Sequence, residues 1–333
     1  MTQPASSVLA STAESSSLLS RMRGMNLTTV TLVFSYLVMC VVFSILTPYF
    51  LTVQNFVNIG QTLAVVGIVA IGETLVLISG GVDISVGSVA ALAGVLASLL
   101  WNNDILPIWW CVVAGLASGA LIGLINGLVV TRVKISPLIT TLGTFSIVRG
   151  LAYVLSGGQT NQFQNEQVQF LGRGNIGGIP FSLILMLTLY AIFIFLLRLT
   201  VFGRNFYAIG GSPAASRLAS IPVNRYLLVA FTLCGLLAAS GGVLSTAQLA
   251  SGTPQAAIGL EFTVIAAVIL GGTSLSGGKG TLIGSLIGVF ILRTLDNGLI
   301  LTNVSSYYQQ VGRGVVLLLA VSLDQLRLRL GRS

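Results

Sequence analysis

The sequence predicts an all-α, polytopic membrane protein with about ten transmembrane helices and glycine-rich broken segments. Only 7% of the 333 residues are charged, whereas about a quarter are charged in soluble domains. Hydrophobic residues make up 54% of the chain and lie in runs close to the ~20 residues that cross a bilayer core. Short glycine-rich polar breaks separate some of these runs, which is typical of membrane helices that are interrupted inside a bundle.

The apolar runs define one transmembrane domain over 27–324. The run at 259–272 is too short to span by itself, so we expect a broken or re-entrant helix, or one that continues into the glycine-rich segment after it. The low-complexity residues 1–26 are predicted to be a disordered cytoplasmic tail, and 325–333 a basic cytoplasmic tail. The predicted runs lie at 28–47, 58–79, 84–101, 110–130, 136–155, 180–198, 226–248, 259–272, 281–301 and 307–323.

The basic residues indicate an orientation. The net charge is +8, but Lys and Arg lie between apolar runs, which favours the excess found in cytoplasmic loops over a nucleic-acid surface. They all fall on one side if both termini are cytoplasmic and the number of spans is even. A multi-pass protein of the cell inner membrane is therefore predicted. The residues are Arg21, Arg23, Arg132, Lys134, Arg198, Arg204, Arg217, Arg225, Arg327, Arg329 and Arg332.

No catalytic, metal or cofactor site is predicted. The chain has no His, and its three Cys fall inside apolar runs without paired spacing. The GRGNIG pattern at 172–177 follows no strand, and the glycine run around Lys279 has the wrong spacing for a phosphate loop and lacks its Ser or Thr. Any ATP is therefore expected to bind another protein.

Glycine patterns predict how the helices pack. The stretches 77–96 and 270–290 resemble each other, because each places a glycine-rich polar break ahead of an apolar helix. Internal repeats of this kind are typical of transporters, although Gly-rich membrane sequence also matches by chance. Glycines recur every four residues within 115–127 and 280–288, so each set lines one helix face. Packing within one subunit is predicted in preference to a subunit interface.

Placing a charged side chain at the centre of a membrane helix costs roughly 2.5–3.5 kcal/mol, so each ionisable residue inside an apolar run calls for a structural or functional explanation. Arg293 and Asp296 lie three residues apart and are predicted to pair. Glu73 has no such neighbour, so it faces the subunit interior or a wet cavity, or is protonated at neutral pH. Asp83 lies in the first glycine-rich break, where its carboxylate can accept backbone N–H bonds.

The longest basic interruption on the predicted inner side covers 203–225. Ser212 can cap a helix that has Pro213 at its first position, and the Ala-rich stretch then propagates well. A short surface helix is predicted, which is either an ordinary amphipathic loop helix or a docking element for a cytosolic partner. The docking residues would be Gly211, Ser212, Ala214, Ala215, Arg217, Ile221 and Pro222.

Four segments resemble the permease subunits of ribose-, arabinose- and galactose-type ABC sugar importers. The resemblance covers about 26–323 and implies a permease domain that moves a pentose or hexose across the inner membrane and is not itself an enzyme. It also implies three partners, namely a cytosolic ABC ATPase, a periplasmic sugar-binding protein and a second permease subunit, identical or not. The segments are GGVDISVG at 80–87, GRN with AIGG within 203–211, LGGTSLSGGKG at 270–280 and SSYYQ at 305–309.

In related importers, the loop that matches 211–223 enters the ATPase. Pro213 stands where relatives often carry an acidic residue, and Ser220 where they often carry Gly. The resemblance does not identify which sugar is transported. The alternatives are an ion-coupled secondary transporter of a small polar solute, which would use Glu73 and Asp83, and a channel or structural membrane protein, the channel needing no partner. The candidates for the translocation pathway are Glu73, Asp83, Ser85, Glu261, Thr273 and Ser274.

Overall fold

The computed structural model describes residues 27–305, 307–312, 314–315, 318 and 321–322. The two predicted tails, 1–26 and 325–333, lie outside these residues. The helices are α1 Leu27–Leu46, α2 Val53–Ile78, α3 Val86–Asn102, α4 Ile108–Leu128, α5 Pro137–Ser156, α6 Glu166–Arg173, α7 Phe181–Leu199, α8 Val201–Gly211, α9 Pro213–Leu218, α10 Val223–Leu249, α11 Leu260–Leu270 and α12 Leu282–Leu301. The strands are β1 Asn161–Gln162, β2 Asn175–Ile176, β3 Ile179–Pro180 and β4 Ser251–Gly252.

The fold is all-α and polytopic, as predicted. In the described part of the chain, six helices are long and apolar enough to cross a membrane, namely α2, α4 with its π-helical extension Val129–Val133, α5, α7, α10 and α12. The apolar helices α3 and α11 are shorter, and so is the apolar stretch Leu32–Leu46 within α1. Nine predicted runs coincide with a helix, and the described residues of the tenth, 307–323, are also helical.

Helix α10 lies at the centre of the bundle, where it packs against α2, α3 and α4. The glycines of α4 make this packing close. A Cβ on Gly119 would meet the Gly235 carbonyl group and Ala239, and one on Gly123 would meet the Phe231 backbone. In lipid, small residues let helix backbones approach in this way. The predicted packing of the glycine face within one subunit is confirmed.

The second glycine face behaves in the same way. A Cβ on Gly284 would meet the Gly271 carbonyl group, and one on Gly288 would meet that of Ala267, so α12 packs directly on α11. The run predicted at 259–272 is a broken helix, because α11 ends at Leu270 and a non-helical segment, 271–281, leads into α12.

Helix α5 is peripheral. It exposes large apolar side chains, among them Ile147 and Val154, while α2 is buried along nearly all of its part from Leu63 to Ile78. An apolar outer surface is what lipid requires of a membrane protein, just as the buried backbone of the breaks requires protein around it. At one end of the bundle, β1 pairs antiparallel with β4, so the loop after α5 is joined to the segment before α11.

Candidate transport site

The first break, 79–85, is built around two buried carboxyl groups. Asp83 Oδ1 accepts the Ser85 backbone N–H at 2.9 Å and the Ser85 hydroxyl at 2.5 Å. Glu73 Oε1 accepts the Asp83 N–H at 3.2 Å, which ties the break back to α2. All three side chains are at most 1% exposed. The carboxylates therefore hold the break in shape, as the short side chain of Asp83 allows.

Two further helices extend this network, which we call the carboxyl network. Asn126 on α4 donates from Nδ2 to Ser85 Oγ at 3.0 Å and accepts the Thr144 hydroxyl from α5 at 2.6 Å. Thr141, also on α5, donates to the Val82 carbonyl oxygen at 3.4 Å. A buried polar network is stable when its members satisfy one another. Neither Asn126 nor Thr144 was among the residues predicted for the site, although an Asn inside an apolar run is itself a signal.

The second break, 271–281, is held mainly by its own backbone. Ser274 donates its N–H to the Lys279 carbonyl oxygen at 3.0 Å, and Ser274 Oγ accepts the Ser276 N–H at 3.3 Å. Thr273 is 1% exposed and packs against Gly280. Glycines 272, 277, 278 and 280 have φ values between 71° and 148°, which glycine alone adopts freely.

The two breaks meet each other and the C-terminal end of α8. Gly278 donates its N–H to the Ile78 carbonyl oxygen at 2.9 Å, and a Cβ on Gly277 would lie 2.9 Å from Gly80 Cα. A Cβ on Gly210 would meet both Ile78 and Gly278. We call this contact of three glycine-rich segments the glycine junction. It brings together segments that are far apart in the sequence.

Tyr207 on α8 fastens the same region, because its hydroxyl donates to the Gly280 carbonyl oxygen at 3.0 Å. Burial raises the pKa of Tyr207, and the smaller effect of Arg198 lowers it. A raised pKa keeps the phenol protonated, so it remains a donor. Tyr207 therefore connects α8 directly to the second break.

The surface helix predicted after Ser212 is present as α9. Ser212 accepts the Ala215 N–H at 3.2 Å, and Pro213 occupies the first helical turn. Of the predicted docking residues, Gly211, Ser212, Ala214, Ala215, Arg217 and Pro222 are exposed and Ile221 is half-buried. Ser220 has φ 60°, a left-handed conformation that Gly adopts without strain.

A cavity of about 630 Å³ links α9 to the breaks. A second cavity, of about 550 Å³, is lined by Arg132, Arg217 and Arg225 among others. This end of the bundle is therefore basic. The lining of the first cavity is Ser79, Gly80, Val130, Thr131, Lys134, Ile135, Ser136, Pro137, Ile209, Gly210, Pro213, Arg217, Asn224, Leu227 and Ser276.

Glu261 packs against Gly87, near the N-terminus of α3. It is 2% exposed, and Oε1 accepts the Gly259 N–H at 3.1 Å. Arg149 on α5 donates from Nη1 to the carbonyl oxygens of Pro254 and Ala256 at 2.7 and 2.8 Å. Arg293 Nη1 and Asp296 Oδ2 on α12 form an ion pair, 3.1 Å apart. The predicted pairing of these two residues is confirmed.

The described residues contain no group of three His, Cys, Asp or Glu side chains that could hold a metal ion. Of the six predicted pathway residues, Glu73, Asp83 and Ser85 form one cluster, and Thr273 and Ser274 lie in the second break. Glu261 lies beside Gly87, which follows Ser85 on α3, and the glycine junction joins the two breaks.

Broken helices inside a multi-span bundle, here joined to α8 through Gly210 and Tyr207, are typical of membrane transport proteins. Residues 55–321 match the family model described as branched-chain amino acid transport system / permease component. The chain belongs to this family of transport permeases.

Curated relatives cover most of the chain. It is 42% identical over 290 residues to the ribose import permease protein of Bacillus subtilis (strain 168), covering 86% of this chain and 90% of the relative. It is 41% identical over 298 residues to the L-arabinose transport system permease protein of Escherichia coli (strain K12), covering 90% of each. An L-arabinose ABC transporter permease protein of Azospirillum brasilense is 38% identical over 300 residues, covering 89% of this chain and 87% of the relative. No solved structure matches the chain.

Proposed function

We propose that this chain is the membrane-spanning permease subunit of an ABC importer and carries a monosaccharide of the pentose or hexose type across the inner membrane. The observation that carries the proposal is the exposed, capped helix α9, which follows a segment packed against both breaks. Relatives that import ribose and L-arabinose support the substrate class. Hydrolysis of ATP takes place on a separate subunit.

The partners follow from this assignment. A cytosolic ABC ATPase docks on α9, a periplasmic sugar-binding protein delivers the sugar at the opposite end, and a second permease subunit completes the pathway. A short capped helix transmits a displacement of the ATPase, whereas a flexible loop would absorb it. The glycine junction then passes the displacement from Gly210 to both breaks. Because the segments contact each other backbone to backbone, one cannot shift far without displacing the others.

The orientation places the end of the bundle that carries α9 in the cytoplasm. Arg132, Lys134, Arg217 and Arg225 lie at this end, in agreement with the positive-inside rule. Reporter fusions after Lys134 and Gly211 should report the cytoplasm, and a fusion near Asn165 the outer side. A reporter at Gly211 that faces outward would overturn the docking role of α9.

Reconstituted transport tests the function itself. Proteoliposomes that contain the permease should take up radiolabelled D-ribose, L-arabinose or D-galactose only with the cognate ATPase, the binding protein and internal ATP. Uptake that follows a proton or sodium gradient without the ATPase would instead identify the ion-coupled transporter. Uptake with neither partner nor gradient would identify a channel.

A pair of variants tests the coupling role of α9. Gly at both Ala214 and Ala215 should cost about 1 kcal/mol each in helix propensity, so the complex should retain less ATPase and lose substrate-stimulated hydrolysis. Arg217→Glu should also weaken ATPase binding if Arg217 contacts an acidic cleft on the ATPase. Arg225→Glu at the same basic end is the matched control for charge alone. Full ATPase binding by the first two variants would move the docking surface elsewhere, beginning with 131–137.

A further inference from the structure

One face of α4 is exposed along most of the helix. Its large apolar residues are between 40% and 57% exposed, and their spacings of eight, four and three residues place them on one face. Gly119 and Gly123 lie on the opposite face, where they pack against α10. Because the exposed face is apolar and belongs to a helix long enough to cross a membrane, lipid is what covers it. The apolar residues of this face are Val113, Leu121, Ile125 and Leu128.

The two ends of α4 carry residue types that anchor membrane helices. Trp110 is exposed in the first turn, and Arg132 is exposed near the end of the π-helical extension, four positions after Leu128. The 22 positions from Trp110 to Arg132 rise about 33 Å, which is close to the thickness of the hydrocarbon core. Tryptophan is enriched at membrane interfaces, and arginine near a helix end reaches the headgroups. Arg132 therefore lies at the level of the lipid headgroups, at the end of the apolar face.

Arg132 is one of three arginines that line the second cavity, of about 550 Å³, with Arg217 at the end of α9 and Arg225 in the first turn of α10. We call it the arginine cavity. None of its eight lining residues is acidic, and among the described residues no carboxylate lies within 4.0 Å of the three guanidinium groups. Cations that line one cavity repel one another, and an anion among them removes that repulsion. The arginine cavity is therefore suited to an anion.

The donors of the arginine cavity suit a phosphate group. Arginine binds phosphate through two parallel hydrogen bonds, and the exposed side chains of Ser220 and Asn224 add a hydroxyl and an amide to the same lining. Helix α10 begins in this lining at Val223 without a side-chain cap, which favours a negative charge there as well. A basic pocket between membrane helices at headgroup level is the kind of site that holds the headgroup of an anionic lipid.

We propose that the arginine cavity binds the phosphate of an anionic phospholipid whose acyl chains lie along the exposed face of α4. The cavity and the apolar face adjoin, because Arg132 follows Leu128 by about one helical turn. A free anion would use the cavity without the apolar face, and an acidic protein would cover the cavity from the aqueous side. The proposal requires only that the bundle lies in a bilayer, so it does not rest on the proposed function.

The test measures the affinity of the purified full-length permease for phosphatidylglycerol, by native mass spectrometry from a neutral detergent. Phosphatidylcholine, which carries no net charge, is the control lipid. The variants are Arg132→Gln, Arg225→Gln and the two combined, while Arg217 is left unchanged because it belongs to the proposed docking helix. Arg204→Gln on α8 is the matched control, since Arg204 is exposed and lies outside the arginine cavity. Arg132→Lys keeps the charge and is the conservative variant.

Each single Arg→Gln variant should bind phosphatidylglycerol about fivefold more weakly, which is the effect of one basic residue at an anionic membrane surface. The combined variant should lose about 25-fold if the two arginines act independently. Arg204→Gln and Arg132→Lys should stay close to the wild-type affinity, and phosphatidylcholine should bind all the proteins equally. SDS-induced unfolding at the wild-type midpoint shows that a variant is folded. If a Gln variant unfolds earlier, the wild type supplies the test, because added NaCl should weaken its binding of phosphatidylglycerol alone.

Equal affinities for phosphatidylglycerol in the Arg→Gln variants and in Arg204→Gln overturn the proposal, as does a wild-type affinity that NaCl leaves unchanged. Inorganic phosphate at the same concentration should not displace the lipid, and displacement would reveal a site for free anions instead. The cognate ATPase, added to the lipid-bound permease, should leave phosphatidylglycerol in place. Release of the lipid on ATPase binding would assign the arginine cavity to the docking interface and refute the lipid site.

Discussion

The two glycine-rich breaks look alike in sequence but are held by different means. In the first, 79–85, Asp83 and Glu73 accept hydrogen bonds from the break, and Asn126 and Thr144 reach it from two other helices. In the second, 271–281, glycines with positive φ and local backbone bonds fix the turn. Polar side chains from other helices reach the first break, whereas the second combines local backbone bonds with backbone contacts to Ile78 and Gly210 and a bond from Tyr207.

This difference assigns different tasks to the breaks. The carboxyl network links α2, α3, α4 and α5, so it fixes the position of α3 within the bundle. The second break contacts α8 directly. Gly277 and Gly278 pack against Gly210, and Gly280 accepts the hydrogen bond from Tyr207 of α8. We therefore expect substitutions in the first break to change stability most, and those in the second to change coupling as well.

The largest effect is expected from Asp83→Ala. The N–H and hydroxyl of Ser85 would both lose their acceptor, at about 1–3 kcal/mol for each buried donor left unpaired. SDS-induced unfolding of the purified permease measures this loss. Asp83→Asn keeps an acceptor oxygen and should lose less stability. Equal losses in both variants would show that Asp83 does not hold the break through these bonds.

Asp83→Asn also distinguishes ATP-driven transport from proton-coupled transport. A break held by hydrogen-bond geometry predicts slower ATP-driven uptake that remains indifferent to a proton gradient. The measurement adds an uncoupler while ATP is held constant. Uptake abolished by the uncoupler would count against ATP as the energy source and favour proton coupling.

An intermediate effect is expected from Gly277→Ala in the second break. Its φ of 81° costs an Ala residue about 1–2 kcal/mol, and the added Cβ would lie 2.9 Å from Gly80 Cα and from the Gly210 carbonyl oxygen. Gly80→Ala is the matched variant in the first break. Its φ of 86° is similar, but the nearest atom to its Cβ is Gly210 Cα at 4.0 Å.

Gly277→Ala should therefore unfold at lower SDS than Gly80→Ala and should also reduce the sugar imported per ATP. Crowding at the junction displaces Gly210, which lies just before the docking helix. If the two variants lose the same stability and keep the same coupling, the second break does not transmit movement from α8.

The sequence predicted the broken character of both segments, because glycine-rich polar residues cannot continue an apolar helix. It also predicted α9 from the Ser212–Pro213 pair, since a cap and its helix are local in sequence. It did not predict α6 or α8. Helix α6 lies inside a loop between spans, and α8 was treated as part of the basic interruption.

The glycine junction could not be predicted, since it joins Gly80, Gly210 and Gly277 from three distant parts of the chain. The partners of Asp83 are likewise tertiary. Ser85 is adjacent in sequence, but Asn126 enters from α4 at a position that periodicity alone does not select. The contact of Glu261 with Gly87 is also tertiary, because residue type alone carries no information on which polar candidates meet.

The smallest effect is expected from Thr144→Val at the edge of the carboxyl network. The change removes one hydrogen bond, from Thr144 Oγ1 to Asn126 Oδ1 at 2.6 Å, and should cost about 1 kcal/mol in SDS-induced unfolding. Thr188→Val on α7 is the matched control, because its exposed hydroxyl bonds to Ile184 of its own helix at 2.8 Å.

A double-mutant cycle then distinguishes the two breaks. Thr144→Val combined with Ser85→Ala should be non-additive, because Asn126 bonds to both hydroxyls and shares one network with them. Thr144→Val combined with Gly277→Ala should be additive within about 0.5 kcal/mol, since Gly277 contacts Gly80 and Gly210 and has no side chain in that network. Coupling in the second pair as strong as in the first would mean that the breaks act as one unit, and that the carboxyl network takes part in transmitting movement from α8.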